Sequence, residues 1–202
     1  MQGIPAAGSR KVLTMSRKAI FLDRDGVINV EKTFVLSPDE MELYPRSARA
    51  VKKINDSEYL AIVVTNQSAV ARNYISLDDL ERIHRAMRHL LSSSAGARVD
   101  DIYYCPHREH LDEPPDNPEF IKDCDCRKPK PGMLLEAARR WDIDLESSWL
   151  IGDSARDIQA GKDAGCRTIG LRTGHALKGI VEPPDYIFDD LDEAVDFIMN
   201  GS

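Results

Sequence analysis

Two aspartates near the start of the chain stand where a buried strand is predicted to end. Asp23 and Asp25 belong to the segment FLDRDGVIN and directly follow the apolar run of residues 19–22. An unpaired buried charge is costly, and two like charges placed close together are costlier still. The pair therefore predicts either a solvated strand end or a site at which the two carboxylates hold a cation.

Further polar segments follow later apolar runs. TNQS, residues 65–68, comes after a β-branched run, and GDSARD, residues 152–157, comes after another. If these runs are parallel strands, their carboxyl ends share one edge of a sheet, which brings Asp23, Asp25 and Asp153 together. Carboxylate oxygens are the ligands that Mg²⁺ prefers, so the sequence predicts a magnesium site on these three residues.

The basic segment CRKPKPG supplies the opposite charge. It contains Arg127, Lys128 and Lys130, and a lysine aimed at the carboxylates would complete an anion site. Such a set suits phosphoryl transfer, in which a carboxylate about 4 Å from one phosphate charge is repelled by about 4 kcal/mol at an effective dielectric near 20. Bound Mg²⁺ removes that repulsion, and the Thr65 hydroxyl and a lysine can hold the remaining phosphoryl oxygens.

The elements that position these residues alternate along the chain. Six runs rich in apolar and β-branched residues are predicted as strands: KAIFLD, YLAIVVTN, VDDIYYCP, SSWLIGDS, CRTIGLRTG and YIFDD. Apolar residues three and four apart predict helices over 45–56, 76–96, 130–143, 155–165 and 191–200. Strands that alternate with helices predict an α/β fold, with a mostly parallel sheet and helices on both of its faces.

The longest predicted helix carries signals at both ends. Ser76 and Asp79 resemble a capping box, and Gly96 can end the helix. His84 and His89 lie within it and are expected on the solvent face.

Composition indicates a globular protein. The chain has 202 residues, 42% hydrophobic and 30% charged, which suits one core. We expect residues 1–17 to form a flexible leader and residues 18–202 a single domain. The formal net charge of −7 is a poor match for nucleic acid, and no apolar run approaches the length of about 20 residues that crosses a bilayer. These features favour a cytoplasmic monomer that acts on a small molecule, without nucleic-acid or membrane partners.

Four segments together identify a family. DRDGV, TNQS, RKPKPGM and GDSARD resemble, in order and spacing, the haloacid dehalogenase superfamily of phosphohydrolases over residues 18–197. The resemblance implies the Rossmann-like fold of that superfamily, without a large cap. It implies that Asp23 is the nucleophile, which forms an aspartyl-phosphate. It further implies that Asp25 protonates the leaving alkoxide and then activates water as a base.

The same resemblance assigns the remaining catalytic and metal-binding roles. Thr65 and Lys128 would bind the transferring phosphoryl group and complete the catalytic set with the two aspartates. Mg²⁺ would be held by Asp23, by Asp153 and by the backbone carbonyl of Asp25.

A narrower resemblance points to the substrate. FLDRDGVIN, VVTNQSAVAR, IYYCPH and CDCRKPKPGM closely resemble the D-glycero-D-manno-heptose 1,7-bisphosphate 7-phosphatases. That implies removal of a sugar 7-phosphate in heptose biosynthesis for surface glycans such as lipopolysaccharide. Thr33 and Phe34 stand where those enzymes usually carry Gly-Tyr. We expect the sugar phosphate to contact Glu31, Phe34, Asn66, Gln67, Ser68, Arg127 and Ser154.

A segment with three cysteines and one histidine interrupts the alternation of predicted strands and helices. Cys105 and His107 lie in CPH, and Cys124 and Cys126 lie in CDC. Three thiolates and one imidazole form a closed ligand set of the kind that structural zinc prefers. The related phosphatases carry a zinc loop at this place, so the resemblance implies structural Zn²⁺ in a loop over residues 105–126. His110 is an alternative ligand to His107.

Other functions fit parts of the pattern. Histidinol-phosphate phosphatases share DRDG, TNQ and CDCRKPK and are the alternative among enzymes. A phospho-aspartate signalling domain also uses clustered aspartates, Mg²⁺, a threonine and a lysine, but needs no Asp25 as acid and base and no zinc loop. Asp157 fits two roles, a charge that stabilises a helix N-terminus or a partner that holds Lys128. Arg72 fits either a surface charge or a site residue.

Overall fold

A parallel sheet of six strands forms the centre of the computed structural model, which describes residues 16–109 and 117–201. The strands are β1 (Lys18–Leu22), β2 (Tyr59–Asn66), β3 (Asp101–Cys105), β4 (Trp149–Gly152), β5 (Arg167–Leu171) and β6 (Tyr186–Phe188). Their order is β3-β2-β1-β4-β5-β6, and every pairing is parallel. The strand order reverses between β1 and β4, which is where ligands bind in such sheets.

Five helices cover the two faces of the sheet. They are α1 (Ser47–Asn55), α2 (Leu77–Ala95), α3 (Gly132–Trp141), α4 (Ala155–Ala164) and α5 (Leu191–Met199). Helices α1, α2 and α5 share one hydrophobic core, and α3 and α4 share the other. Because successive strand residues point to opposite faces, Ile20 and Leu22 of β1 enter the first core while Ala19 and Phe21 enter the second. The predicted α/β fold is confirmed.

Helix α2 has the predicted ends. The Ser76 hydroxyl accepts a hydrogen bond from the Asp79 amide at 3.1 Å, and the Asp79 carboxylate accepts from the Ser76 amide at 2.9 Å. Gly96 follows the helix with a φ of 61°, in the left-handed region that glycine favours. This reciprocal cap satisfies two of the amide donors that a helix start leaves open.

The expected exposure of one histidine in α2 is wrong. His89 is exposed, but His84 is only 3% exposed and packs against Tyr104, with ring centres 5.5 Å apart. The reason is helical phase, because His84 follows Leu80 by four residues and precedes Met87 by three, on the buried stripe. Burial, together with the charge of Arg24, lowers the pKa of His84 to about 3 and keeps the ring neutral.

The connections above the sheet edge are loops with two short 3₁₀ turns, at Pro38–Glu40 and Pro118–Phe120. The expected zinc loop joins β3 to α3, but residues 110–116, including His110, lie outside the described residues. Most of the expected leader also lies outside them, although the Arg17 amide donates to the Asp142 carbonyl at 2.8 Å. Among the residues the structure describes, no helix is long and apolar enough to cross a membrane.

Candidate active site

Three polar side chains lie at the carboxyl ends of adjacent strands. Asp23 follows β1, Thr65 lies near the end of β2, and Asp153 follows β4. The strand register sets them side by side, because Leu22 of β1 pairs with β2 on one side and with β4 on the other. All three line a cavity of about 270 Å³ at this edge of the sheet.

Lys128 is buried at the floor of the cavity among acceptors. Its Nζ lies 2.5 Å from Asp157 Oδ1 and 3.0 Å from Asp23 Oδ1, and it donates to the Val64 carbonyl at 2.7 Å. Burial opposes the charge, but the two carboxylates outweigh burial and raise the pKa of Lys128 above its ordinary 10.5. The contact to the Val64 carbonyl is a hydrogen bond, and the contacts to Asp157 and Asp23 are ion pairs.

Asp157 is fully buried beside this lysine. Burial alone would raise its pKa, but the charge of Lys128 and the hydrogen bonds from Lys128 and Ser154 hold the pKa below its ordinary value. Of the two roles considered for Asp157, the geometry matches the one in which it holds Lys128.

Asp23 has one engaged oxygen and one open oxygen. Its Oδ1 accepts from the Arg24 amide at 2.7 Å and faces Lys128, whereas Oδ2 has no hydrogen bond to any described residue. Burial raises the pKa of Asp23 to about 7; Lys128 opposes this shift, and the charges of Asp157 and Asp153 add to it. A carboxylate oxygen that has no hydrogen bond and lies near other carboxylates favours the binding of a cation.

Asp25 is held from several sides by donors. The Arg24 guanidinium, itself fully buried, donates from Nη2 at 3.0 and 2.8 Å, Asn29 donates at 2.9 Å, and Gln67 donates at 2.8 Å. Burial would raise the pKa of Asp25, but these donors and the charge of Arg24 outweigh burial and lower it. Gln67 also donates to the Thr65 hydroxyl at 2.9 Å, which links the second aspartate to the threonine.

Asp153 lies between two glycines and keeps one unsatisfied oxygen. Its Oδ2 accepts from the His175 amide at 2.5 Å, and its buried Oδ1 has no partner among the described residues. Burial raises the pKa of Asp153 to about 7. Gly26 and Gly174 have φ angles of 81° and 53°, and a Cβ on either would collide with the Asp153 carboxylate. These loops therefore need glycine at both positions.

The acidic side chains fit a magnesium ion. Oxygens of Asp23, Asp153 and Asp157 lie within 4.8 Å of one another. A buried carboxylate oxygen without a partner, as in Asp153, is rare in proteins and is explained by an ion. Because Asp157 is paired with Lys128, Asp23 and Asp153 are the side chains with oxygens to offer. The third predicted ligand is the backbone carbonyl of Asp25, which follows Asp23 by two residues.

All of the expected substrate-binding residues line the cavity: Glu31, Phe34, Asn66, Gln67, Ser68, Arg127 and Ser154. Several are already engaged within the protein. Asn66 donates to the Lys128 carbonyl at 3.0 Å and accepts from its amide at 3.1 Å, and the Ser154 hydroxyl donates to Asp157 at 2.6 Å. These contacts give Asn66 and Ser154 a positioning role for the lysine–aspartate pair.

Sequence reasoning missed four residues around the site. Arg24 and Asn29 hold Asp25, while Arg156 and His175 line the cavity. The only sequence signal for Arg24 is its position between the two aspartates, where an arginine also fits a solvated loop. The cavity also includes Arg72, whose guanidinium lies 5.6 Å from the centre of the Phe34 ring.

The four predicted zinc ligands lie together. Sγ of Cys126 is 3.2 Å from that of Cys105, 3.4 Å from that of Cys124 and 3.4 Å from His107 Nδ1. Cys105 Sγ lies 3.6 Å from Cys124 Sγ and 3.7 Å from His107 Nδ1. Tetrahedral zinc with bonds to sulfur of about 2.3 Å has edges of about 3.8 Å. The cluster is therefore compatible with a structural zinc site.

The cysteine–histidine cluster is connected to Lys128 through a short segment. Arg127 follows the ligand Cys126, and its Nη1 donates to the carbonyl of the ligand His107 at 2.8 Å. Lys128 is the next residue, and Asn66 at the end of β2 binds its backbone from the other side. The cysteine–histidine cluster and β2 together fix the position of Lys128.

Comparisons with known proteins match this architecture. A family model described as HAD-hydrolase-like matches residues 125–194. The D-glycero-D-manno-heptose-1,7-bisphosphate 7-phosphatase of Thermosynechococcus vestitus is 38% identical over 192 residues, which are 91% of this chain and 96% of that protein. The D-glycero-beta-D-manno-heptose-1,7-bisphosphate 7-phosphatase of Haemophilus ducreyi is 36% identical over 186 residues, which are 91% of this chain and all of that protein.

A solved structure agrees in both sequence and fold. The crystal structure of D,D-heptose 1,7-bisphosphate phosphatase from B. bronchiseptica, complexed with magnesium and phosphate, superposes with a TM-score of 0.79 at 36% identity. The match covers 92% of this chain and 99% of that one. The similarity therefore extends over most of both chains.

Proposed function

Because the chain belongs to the family of D-glycero-D-manno-heptose-1,7-bisphosphate 7-phosphatases within the haloacid dehalogenase superfamily, we propose that it hydrolyses the 7-phosphate of that sugar bisphosphate. The observation that carries the proposal is the arrangement of Asp23, Lys128 and Asp153 around one cavity. A small sugar phosphate is the substrate class, and Mg²⁺ is the catalytic cofactor.

Asp23 is the proposed nucleophile. Its Oδ2, which has no hydrogen bond within the described residues, attacks phosphorus, and the bond from phosphorus to the sugar oxygen breaks. Lys128 and the Arg24 amide hold Oδ1 at 3.0 and 2.7 Å, which orients the carboxylate for attack. The product of this step is an aspartyl-phosphate on Asp23 and a sugar alkoxide that needs a proton.

Asp25 is the proposed acid and base. Its protonated form gives the proton to the leaving sugar oxygen, and the resulting carboxylate then takes a proton from water. The water oxygen attacks the phosphorus of the aspartyl-phosphate, which releases inorganic phosphate and restores Asp23. The donors from Arg24, Asn29 and Gln67 stabilise the carboxylate form that the second half of the reaction requires.

The remaining residues supply charge and position. Thr65 and Lys128 bind the oxygens of the transferring phosphoryl group. Asp23, Asp153 and the Asp25 carbonyl would hold Mg²⁺, which would supply positive charge to offset repulsion between the nucleophile and the phosphate dianion. The cysteine–histidine cluster holds Zn²⁺ in a structural role, since all four protein ligands would be used.

The proposal also covers the domain organisation, the cellular location and the oligomeric state. Residues 18–202 act as one domain, because a single continuous sheet joins its first strand to its last. We propose a cytoplasmic monomer that needs no membrane partner, and the acidic composition argues against a nucleic-acid partner. Light scattering after size-exclusion chromatography tests the monomer, which a dimer mass would contradict.

The test of the function is phosphate release with Mg²⁺ from three substrates. These are the α and the β anomers of D-glycero-D-manno-heptose 1,7-bisphosphate and histidinol phosphate. We expect one heptose anomer to be hydrolysed with the highest kcat/KM, and the preferred anomer identifies the product. Preference for histidinol phosphate would replace the proposed substrate with the alternative one. A stable aspartyl-phosphate without turnover would instead indicate a signalling domain.

A further inference from the structure

Two of the three arginines that line the catalytic cavity have side chains that form neither a hydrogen bond nor an ion pair with any residue that the structure describes. Arg72 lies in the connection that follows β2, and Arg156 lies in the first turn of α4, which follows β4. Strand β1 and Asp23 lie between those two strands, so the arginines flank the nucleophile from opposite sides. Within residues 16–109 and 117–201, neither guanidinium forms an ion pair, whereas Lys128 is paired with both Asp23 and Asp157.

Arg156 has a position that structural stability does not explain. It is the second residue of α4, where the partial positive charge of the helix N-terminus disfavours a cation. The neighbouring acid, Asp157, does not compensate, because its carboxylate is bound by Lys128 and Ser154. The side chain is exposed at the cavity, forms no hydrogen bond, ion pair or ring contact with the described residues, and is not needed to hold any catalytic group.

The other two arginines of the cavity each contact another residue of the protein. Arg72 lies over the ring of Phe34, and its Nε is buried without a partner. Arg127 donates from Nη1 to the carbonyl of His107 beside the cysteine cluster. Among the described residues, Arg156 is therefore the exposed cavity guanidinium that has no hydrogen bond, ion pair or ring contact, and guanidinium groups bind phosphate in a bidentate manner.

We propose that Arg156 binds the phosphate that the reaction retains, and so selects a substrate with a second anionic group. This inference rests on the proposed function, in which one phosphate of a sugar bisphosphate is removed and the other stays. The transferring group occupies the site of Asp23 and Lys128, and the retained group reaches the β4 side of the cavity. Arg156 then acts as a specificity-determining residue, outside the chemistry itself.

The experiment compares two substrates and three variants. The substrates are the heptose 1,7-bisphosphate and heptose 7-phosphate, which lacks the retained group. The quantity measured is the ratio of their kcat/KM values for the unmodified chain and for Arg156→Gln, Arg72→Gln and Arg85→Gln. Arg85 is the matched control, because it is an exposed helical arginine on α2, outside the cavity.

The expected result is a preference for the bisphosphate that falls about tenfold or more in Arg156→Gln, since the lost contact is a charge-assisted pair. Arg85→Gln should keep the ratio of the unmodified chain. An unchanged ratio in Arg156→Gln overturns the inference, as does a fall confined to Arg72→Gln. If the unmodified chain hydrolyses neither heptose phosphate, the proposed function itself fails, and the inference fails with it.

Discussion

Lys128 Nζ lies 2.5 Å from Asp157 Oδ1, and the two side chains are 2% and 0% exposed. No solvent shields this pair, so each charge depends on the other. The same ammonium group contacts Asp23, so the position of the proposed phosphate-binding lysine is set by a residue on α4 that need not touch substrate.

We predict that Asp157→Asn lowers both stability and turnover. Removing one partner of a buried ion pair costs about 3–5 kcal/mol, because the other charge stays buried. Urea unfolding measures the loss of stability, and steady-state kinetics measures the fall in kcat. Asp163→Asn on the same helix is the control, because Asp163 is exposed and accepts from Gln159 alone among the residues that the structure describes. Equal stability of the two variants would contradict the role of Asp157.

A glycine in the first catalytic loop is predicted to be essential for the metal site. In Gly26→Ala the new methyl group would collide with the Asp153 carboxylate, whereas at Gly165 the space around a Cβ is open. Gly165→Ala is a close match in backbone strain, since the two φ angles are 81° and 83°. We expect both variants to lose about 1–2 kcal/mol from left-handed strain. Only Gly26→Ala should also lose Mg²⁺ affinity in calorimetry, and similar affinities would contradict the prediction.

Removing one cysteine of the cluster should remove the zinc. Because the binding energy of a structural metal is also folding energy, Cys124→Ser should lose zinc and stability together. Elemental analysis should find about one zinc per chain in the unmodified protein and far less in the variant. Cys166→Ser is the control, since Cys166 is a buried thiol outside the cluster. A variant that loses zinc but unfolds at the same temperature would show that the metal does not support the fold.

Mg²⁺ affinity should depend on pH near neutrality. The pKa values of Asp23 and Asp153 are raised from 3.8 to about 7 in the metal-free fold. Raised carboxyl pKa values stabilise the fold below about pH 4, and this contribution is lost as the pH rises towards 7. Mg²⁺ needs the ionised carboxylates, so its affinity should fall by at least about tenfold per unit below pH 7. Calorimetric titration between about pH 5.5 and 8 measures this, and a constant affinity would refute it.

The sequence predicted the elements well because their signals are local. β-Branched runs specify the strands, apolar spacing specifies the helices, and the Ser76–Asp79 cap marks a helix start within four residues. The sequence also predicted that Asp23, Thr65 and Asp153 lie at one edge of the sheet, because parallel strands align their carboxyl ends. A family resemblance then supplied the chemical roles.

What the sequence could not predict depends on contacts between distant segments. Asn66 was expected to contact the substrate, and in the structure its side chain binds the backbone of Lys128, 62 residues away. The sequence analysis made no prediction for Arg24, which packing leaves fully buried and paired with Asp25. His84 turned inward because of helical phase, which outweighed its polarity. Each of these outcomes depends on how separate elements pack together, and residue type does not specify that packing.

The most direct test follows both phosphates of the heptose 1,7-bisphosphate by phosphorus NMR, with Mg²⁺ and either the unmodified chain or Asp23→Asn. We predict that the unmodified chain converts the 7-phosphate signal into inorganic phosphate while the 1-phosphate signal persists. Asp23→Asn should leave both signals unchanged while remaining folded, because it removes a carboxylate that its acidic neighbours repel. Loss of the 1-phosphate signal, or near-normal turnover by Asp23→Asn, would contradict the account.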